Sequence, residues 1–300
     1  MLQQEIRHRP NLERGIRRKG WLFVLPATLL IAVLCFYPMI QAALLSMQTG
    51  KGNALKWAET FYYNYARLFK DKTFTAAVYN TFFYLVIQVP IMLALALILA
   101  AMLNDKKLLG RGIYRTLIFL PCATSLVSCA IIFKQLFAAN GFINTQLMAA
   151  GWISEPVSFL TDGVLARLVI IATMLWRWTG YNMVFYLAGL QNIDTQVYEA
   201  ARIDGASVVQ QFTRITVPLL RPIILLTTVL STNGTLQLFD EVFNMTNGGP
   251  GNNTITLSVY IYRLTFQNVP QFGYASAIAY AIFLAVAALA FVQLKVGESK

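Results

Sequence analysis

Residues Val197 to Pro222 read VYEAARIDGASVVQQFTRITVPLLRP, a polar stretch between two strongly apolar segments. The residues from Tyr198 to Ile203 favour helix, and Gly205 then lets the chain turn with a positive φ at little steric cost. A second short helix is predicted over 206–215, because apolar residues there recur with the spacing of one helix face. These residues are Val208, Val209, Phe212 and Ile215. The stretch therefore predicts a helix–glycine–helix elbow with a rigid face for a partner, although an amphipathic helix lying on lipid fits the same pattern.

The composition excludes a soluble domain. Hydrophobic residues make up 57% of the 300 residues and charged residues only 12%. The formal net charge is +11, because Asp and Glu are scarce. A basic chain can bind nucleic acid, but here the basic residues cluster between apolar segments instead of along one face. No nucleic-acid partner is therefore expected.

The sequence holds no set of residues for metal binding, disulfides or ATP binding. The single histidine, His8, has no partner ligand, and the three cysteines lie in apolar runs without ligand spacing. The cysteines are Cys35, Cys122 and Cys129. No G-x-x-x-x-G-K-[ST] motif is present. We expect no cofactor on this chain, no catalytic residue and no enzyme activity.

Six apolar segments are long enough to cross a bilayer as helices. The predicted spans cover about 21–47, 74–103, 113–137, 164–190, 219–239 and 272–294, between a basic tail at 1–20 and a short tail at 295–300. Pro121 lies inside the third span, where a membrane helix tolerates proline and usually kinks. The segments between the spans are predicted loops, with one short helix at 142–149 and a turn at Asn247 to Gly251. The predicted fold class is an all-α polytopic membrane protein with six transmembrane helices.

Basic residues indicate the orientation, because loops rich in Lys and Arg stay in the cytoplasm. With the N-terminus placed there, 15 of the 24 Lys and Arg residues lie in inside segments and 8 in outside segments, and Arg177 lies within a span. Both termini and the elbow are then cytoplasmic, and the turn at Asn247 to Gly251 is external.

Two separate motifs, in the correct order, resemble one family. The EAA loop in the permeases of binding-protein-dependent ABC importers has the pattern EAA, three residues, Gly, nine residues and I-x-L-P. This chain resembles it at Glu199-Ala200-Ala201, Gly205, Ile215 and Pro218, with Val217 where Leu is usual. The segments Thr246 to Pro250 and Gly273-Tyr274-Ala275 resemble the carbohydrate-importer branch, in its maltose-permease-F-like subgroup. The resemblance covers nearly the whole chain.

The resemblance implies a type I ABC importer permease-like fold, in which a cytoplasmic EAA coupling elbow at 195–218, between spans four and five, docks on an ATP-binding subunit. Glu199 would be its anchoring charge, Gly205 its hinge and the alanines its close-packing surface. The coupling residues are Glu199, Ala200, Ala201, Asp204, Gly205, Ala206, Ile215 and Pro218. The residues Gly248, Gly249 and Pro250 would form an external loop motif.

The resemblance also implies a function and a set of partners. The chain would be the permease subunit of an ATP-driven importer of a sugar or oligosaccharide in the bacterial cytoplasmic (inner) membrane. Its partners would be a second, non-identical permease, two ATP-binding subunits that hold ATP and Mg, an extracytoplasmic solute-binding protein and the lipid bilayer.

Polar and aromatic residues inside the fourth and fifth spans are candidates for the substrate path. A charge at the bilayer centre costs roughly 2.5–3.5 kcal/mol on insertion scales, so Arg177 should face protein or water. It either lines a cavity or pairs with carbonyl groups or a carboxylate such as Asp240; if it lines the cavity, an anionic sugar or sugar-phosphate is expected. Polar residues of the fifth span either line the same cavity or hold helices together. The candidates are Trp176, Arg177, Trp178, Tyr181, Asn182, Asn233, Thr235, Gln237 and Asp240.

An ion-coupled secondary transporter without an ATPase is the alternative function. It predicts uptake by this protein alone that ionophores abolish, whereas the ABC importer depends on an ATP-binding subunit. A membrane enzyme would need a polar catalytic constellation, and the sequence contains none because its acidic residues are scattered and no Ser/His pair is present.

Overall fold

The computed structural model describes residues 10–52, 54–105 and 107–298. Within these ranges the chain is helical apart from its loops and one short hairpin. The helices are α1 Pro10–Ile31, α2 Tyr37–Ser46, α3 Tyr63–Leu68, α4 Lys72–Leu103, α5 Arg111–Ala123, α6 Leu126–Leu136, α7 Phe142–Ala149, α8 Gly163–Leu190, α9 Thr195–Ile203, α10 Val208–Gln211, α11 Val217–Leu219, α12 Arg221–Leu236, α13 Asp240–Thr246, α14 Leu257–Tyr262 and α15 Phe272–Glu298. Three π-helical turns cover Ala32–Phe36, Phe212–Thr216 and Arg263–Gln267, and the antiparallel strands are β1 Gln48–Thr49 and β2 Lys56–Trp57. The predicted all-α class is confirmed, except for this hairpin.

Four helical stretches among the described residues are long and apolar enough to cross a membrane. They are Gly20–Ser46, Lys72–Leu103, Arg221–Thr246 and Phe272–Gly297, and the bent pair α5–α6 would make a fifth. The 28 residues of α8 extend over about 42 Å at 1.5 Å per residue, but Arg167, Arg177 and Asn182 make this helix less apolar. The count of six spans stays a prediction, with α8 as the fourth.

The predicted third span, 113–137, is wrong as a single helix. α5 and α6 meet at 99°, because Thr124 and Ser125 between them are extended, with ψ of 158° and 138°. Pro121 removes one backbone donor from the last turn of α5. Arg177 of α8 binds the carbonyl groups at the break. The sequence predicts a kink at Pro121, but a full break also requires this donor from another helix.

Several helix ends differ from the predicted boundaries. α1 begins at Pro10 and α15 ends at Glu298, so helices enter both predicted tails; residues 1–9, 299 and 300 of those tails lie outside the described residues. The segment 240–271, predicted as a loop, contains α13 and α14. Two acidic residues in the first turn of α13 suit the positive N-terminal end of a helix, and Thr256 caps α14. α7 occupies the residues where a short helix is predicted.

α4 and α8 form the centre of the bundle and run in the same direction. At one end, Ala77 and Tyr84 of α4 share an apolar core with the segment Val169 to Met174 of α8. We name this the loop-end core, because residues flanking the Asn247 to Gly251 turn also belong to it. At the other end, Ala96 to Leu103 of α4 and the C-terminal part of α8 form the elbow-end core. A polar layer separates the two cores.

Asp71 ties three helices together at the loop end of the bundle. Its Oδ2 accepts hydrogen bonds from the hydroxyl groups of Tyr260 on α14 and Tyr274 on α15, at 2.5 and 2.6 Å. Its Oδ1 caps α4 by accepting from the backbone N–H groups of Thr73 and Phe74. Burial disfavours the ionised carboxyl group, but these four hydrogen bonds outweigh it and lower the pKa of Asp71 below its ordinary value.

We expect Asp71→Asn to lower the melting temperature of the purified protein by an amount that depends on pH. Because the folded-state pKa is lowered, the carboxylate contributes its full stability above the unfolded pKa of about 3.9 and loses it as the pH falls through the folded-state pKa. Thermal unfolding in detergent at a series of pH values checks this. Glu155→Gln, in an exposed loop, is the control. A gap between wild type and Asp71→Asn that is the same at pH 7 and pH 3 would contradict the expectation.

Candidate functional site

Hydrogen bonds between polar side chains connect α4, α8 and α12 midway between the two apolar cores. The Thr235 hydroxyl of α12 donates to the Gln88 amide oxygen of α4 at 3.2 Å, and the Ser231 hydroxyl donates to Oδ1 of Asn182 on α8 at 3.5 Å. Gln88, Asn182 and Thr235 are all buried. Polar groups in the hydrocarbon region must find partners within the protein, so these residues define the polar layer.

A cavity of about 330 Å³ lies in the polar layer. This volume is within the range of small-molecule pockets. The walls come from α4, α8, α12 and α13, with Leu126 of α6, and the residues at 237–239 that separate α12 from α13 also face the space. The polar and aromatic lining residues are Gln88, Trp178, Tyr181, Asn182, Ser231, Thr235, Gln237, Phe239, Asp240 and Glu241.

Aromatic rings and carboxyl groups lie side by side in the cavity wall. Trp178 and Tyr181 pack edge to face, with centroids 5.8 Å apart. The Trp178 indole N–H donates to Oε1 of Glu241 at 3.3 Å. Glu241 is only 4% exposed, and Asp240 precedes it in the first turn of α13. The wall therefore offers flat apolar surfaces together with hydrogen-bond acceptors, which suits a ring-shaped molecule with apolar faces and polar edges.

Arg177 is buried, and its guanidinium faces the break between α5 and α6. Nη1 donates to the Pro121 carbonyl at 3.0 Å and to the Thr124 hydroxyl at 3.1 Å. Nη2 donates to the Thr124 carbonyl at 2.8 Å and to the Cys122 carbonyl at 3.4 Å. The last carbonyl groups of a helix lack regular helical donors. Arg177 donates to those of Cys122 and Thr124 and adds a hydrogen bond to that of Pro121, which also accepts from Thr124. Of the two roles left open by the sequence, these contacts match pairing with carbonyl groups. The condition for an anionic cargo, Arg177 lining the cavity, is not met.

The structure brings six of the nine candidate path residues to the cavity. They are Trp178, Tyr181, Asn182, Thr235, Gln237 and Asp240. Trp176 instead is half exposed and packs on Phe133, with centroids 5.2 Å apart. Asn233 lines a second, more open cavity of about 470 Å³ and accepts a hydrogen bond from Gln237 at 2.6 Å. That cargo contacts these residues stays a prediction.

Four of the polar and aromatic lining residues escape the sequence-based prediction: Gln88, Ser231, Phe239 and Glu241. Gln88 is an isolated amide in a strongly apolar span, and this isolation is the signal that could have identified it. Glu241 directly follows Asp240, but the sequence predicts a loop there, so nothing indicates that its side chain is buried.

The elbow folds as α9, a turn at Gly205, and α10. Asp194 caps α9 by accepting from a backbone N–H of its first turn. At the other end Gly205 has a φ of +75°. The N–H groups of Gly205 and Ala206 donate to the carbonyls of Arg202 and Ala201, the Schellman arrangement that closes a helix.

Two further contacts hold the elbow rigid. Ser207 and Gln210 cap α10 reciprocally, with hydrogen bonds of 3.3 and 2.8 Å between side chains and backbone N–H groups. The Tyr198 hydroxyl bonds to the Thr216 hydroxyl at 3.0 Å and fixes α9 to the following π-helical turn. That turn begins at Phe212, so α10 is shorter than the helix predicted over 206–215.

The elbow exposes charged and large apolar side chains together. None of the nine residues of α9 is buried. Ile203, Val208 and Val209 are 87%, 81% and 70% exposed, whereas Phe212 packs on the elbow-end core, so the predicted apolar face is divided between outside and inside. Of the coupling residues, Glu199, Ala200, Asp204, Gly205 and Pro218 are exposed, and Ala201, Ala206 and Ile215 are half-buried. Exposed apolar groups on a rigid element are typical of protein interaction surfaces.

The loop that contains Gly248, Gly249 and Pro250 is firmly anchored at the other end of the bundle. The Asn80 amide of α4 donates to two loop carbonyls at 3.0 and 2.9 Å. Arg167 of α8 donates to a third at 2.6 Å, and Arg263 donates to Asn247 and Asn252 within the loop region. The loop therefore offers a fixed surface.

Residues 65–296 match the family described as the binding-protein-dependent transport system inner membrane component. The chain belongs to this family. It is therefore a multi-pass membrane permease subunit and not an enzyme, as the sequence predicts.

Related permeases cover nearly the whole chain. The permease is 52% identical over 287 residues to the lactose transport system permease protein LacF of Rhizobium radiobacter, covering 95% of this chain and 96% of that protein. It is 32% identical to the arabinooligosaccharides transport system permease protein AraP of Halalkalibacterium halodurans, covering 91% and 86%.

Two solved structures share the fold. A bacterial alginate ABC transporter in complex with an alginate pentasaccharide-bound periplasmic protein matches with a TM-score of 0.78 and 26% identity, covering 95% of this chain and 94% of that chain. A bacterial ABC transporter involved in the import of the acidic polysaccharide alginate matches with a TM-score of 0.84 over 97% of this chain and 100% of that chain; at 24% identity it shows the fold alone. The type I ABC importer permease fold is confirmed.

Proposed function

We propose that this permease translocates a sugar or oligosaccharide in an ATP-driven importer and receives it from an external solute-binding protein. Two relatives carry the names of lactose and arabinooligosaccharide transport systems, and one solved relative is a complex with a sugar-bound periplasmic protein. The cavity in the polar layer is the observation that carries the proposal. Its aromatic walls and hydrogen-bonding side chains suit the apolar faces and hydroxyl edges of a sugar ring.

In this proposal the elbow is the site at which a separate ATP-binding subunit docks on the permease. Two ATP-binding subunits hold ATP and Mg, and one of them receives the elbow. The exposed side chains of Ile203, Val208 and Val209 supply the apolar part of the contact, and Glu199 supplies its charge. A second, non-identical permease encloses the other side of the path. The elbow and both termini are cytoplasmic, and the loop with Gly248, Gly249 and Pro250 is external, in line with the distribution of basic residues.

The energy source of transport tests this function against the ion-coupled alternative. Sugar uptake by cells that express the complete importer should stop when ATP is depleted and continue when an ionophore dissipates the ion gradients. Loss of uptake with the ionophore, and none on ATP depletion, would overturn the proposal.

We expect Glu199→Ala and Gly205→Val each to reduce sugar uptake by at least about tenfold, a loss of about 1.4 kcal/mol in coupling. Glu199→Ala removes the exposed charge of the elbow. In the part of the chain that the structure describes, no atom lies within 4 Å of a Cβ added at Gly205, so the valine side chain has space. At a φ of +75°, however, valine strains the turn by roughly 1–2 kcal/mol. Uptake in cells, together with the ATPase rate of the purified importer, checks the expectation.

Glu155→Ala serves as the control, because this exposed carboxylate lies outside the elbow. All three variants should reach the membrane in wild-type amounts, since the elbow contributes little to either apolar core. Normal uptake by both elbow variants would contradict the coupling role.

A further inference from the structure

The cavity carries an unbalanced set of charges. Two acidic residues, Asp240 and Glu241, are among its lining residues, and no lysine or arginine is among those that the structure describes there. Arg177 is the basic residue nearest in sequence to the cavity wall. Its guanidinium donates hydrogen bonds to carbonyl groups at the break between α5 and α6. The remaining polar groups of the wall are amides and hydroxyls. The part of the wall that this chain supplies is therefore acidic and hydrogen-bonding.

Glu241 is the more deeply placed of the two acids. It is 4% exposed, while Asp240 is half-buried. The Trp178 indole donates to its Oε1, which orients the carboxyl group beside the aromatic wall. A carboxylate has two oxygens and about four acceptor sites, so one indole N–H leaves acceptor capacity for a bound molecule.

We infer that the cavity selects a neutral, hydroxyl-rich sugar over an anionic one, and that Glu241 is the residue that sets this preference. The inference rests on the proposed function, since it names the class of cargo for the same site. A sugar hydroxyl donates to the Glu241 carboxylate in a charge-assisted hydrogen bond, which is stronger than a neutral one. A uronic acid or sugar-phosphate would bring a second negative charge into the same space.

Like charges repel far more strongly inside a protein than in water, because the effective dielectric constant is lower. A carboxylate on the cargo would also lose its hydration on entry and find no basic partner among the described lining residues. Specificity of this kind arises from an unfavourable contact with the wrong ligand as well as from a favourable contact with the right one. We expect the wild-type permease to favour the neutral member of a matched pair by at least about tenfold.

A purely structural role for Glu241 makes a different prediction. If the residue only held Trp178 in place, its replacement would lower the affinities for neutral and anionic sugars by the same factor. The ratio of the two affinities would then not change. If its charge sets the preference, Glu241→Gln lowers the affinity for the neutral sugar and raises the affinity for the anionic one, so the ratio falls.

Equilibrium binding to the purified complete importer in lipid nanodiscs, without nucleotide and without the binding protein, measures this ratio directly. The probes are tritiated lactose and maltose, each paired with its 6′-uronic acid, which retains both rings and adds one carboxylate. We expect Glu241→Gln to reduce the neutral-to-anionic ratio at least fivefold, Asp240→Asn to reduce it by a smaller factor, and the exposed-loop variant Glu155→Gln to leave it at the wild-type value.

The outcomes separate this inference from the proposed function. Binding of a neutral sugar with an unchanged ratio in both Glu241→Gln and Asp240→Asn overturns the role of the acids and leaves the sugar permease intact. Equal or tighter binding of a uronic acid by the wild type overturns the preference itself. Binding of none of the four probes overturns this inference alone, because the proposed function is tested separately by the effects of ATP depletion and ionophore on uptake. If Glu241→Gln does not fold, as judged by size-exclusion chromatography, the wild-type protein decides, and a neutral-to-anionic affinity ratio near one overturns the inference.

Discussion

Arg177→Ala should destabilise the permease more than any other single truncation in the polar layer. The guanidinium donates to carbonyl groups of Pro121, Cys122 and Thr124. Alanine removes this donor from the Cys122 and Thr124 carbonyls, whereas the Pro121 carbonyl keeps the N–H and hydroxyl of Thr124. An unsatisfied buried acceptor costs about 1–3 kcal/mol, and these two acceptors are partly buried, so the expected loss is about 1–3 kcal/mol in total. Thermal unfolding of the purified protein, followed by fluorescence-detected size exclusion, measures it.

Arg177→Lys refines the expectation, because lysine keeps the charge but lacks the planar fork that reaches several carbonyl groups at once. Its stability should lie between those of wild type and Arg177→Ala. Arg202→Ala, on the exposed face of α9, removes a guanidinium without leaving buried acceptors and should unfold at the wild-type temperature. If Arg177→Ala unfolds at that temperature too, the carbonyl groups have other donors, and the structural role assigned to Arg177 is wrong.

Gly180→Ala should have an effect of similar size through steric overlap. A Cβ at Gly180 of α8 would lie 2.0 Å from the Ile118 carbonyl oxygen of α5, so the two helices would have to separate. Overpacking usually costs about 1–3 kcal/mol, and the upper end applies because the obstacle is backbone and cannot rotate away. The same separation draws the α5 carbonyls away from Arg177. Melting temperatures of the two single variants and the double variant should therefore show a combined loss smaller than the sum.

Gly112→Ala is the matched control for Gly180→Ala. Gly112 lies in α5, the helix that Gly180 contacts, and none of the described residues has an atom within 4 Å of a Cβ added there. Alanine is the better helix former by about 1 kcal/mol, so this variant should be as stable as wild type or slightly more stable. A melting temperature for Gly180→Ala equal to that of Gly112→Ala would show that α5 and α8 do not pack closely at this point.

The features that could be predicted from the sequence depend on the conformational preferences of residues that are close together in the chain. The elbow was predictable because its signals are local: Gly205 permits the left-handed turn, and a polar segment between apolar spans has few other structures available. The short helix α7 and the turn at Asn247 to Gly251 depend on equally local preferences. Trp178, Tyr181 and Asn182 could be assigned to one wall because neighbouring turns of a single helix bring them together.

The features that could not be predicted depend on contacts between segments distant in the chain. The break between α5 and α6 persists because Arg177, 53 residues beyond Thr124, binds the carbonyl groups. Sequence alone leaves Arg177 with two possible roles, lining a cavity or pairing with protein groups. Only the packing of α5 on α8 determines which of the two it has. Glu241 joins the cavity because the helical stretch continues as α13 after the interruption at 237–239 and brings its carboxyl group to Trp178, whereas local polarity there predicts a loop.

The separation of the two apolar cores by the polar layer has a consequence for motion. A tilt of the loop end of the bundle against the elbow end would leave the packing inside each core unchanged. At the level of Gln88 and Thr235 such a tilt would exchange protein hydrogen bonds for bonds to water or cargo, which are nearly equivalent in energy. The same tilt at the level of a continuous apolar core would instead create an empty cavity and lose dispersion contacts. Rearrangement during transport is therefore expected to cost least at the polar layer, where water or a sugar can replace the hydrogen bonds that are lost.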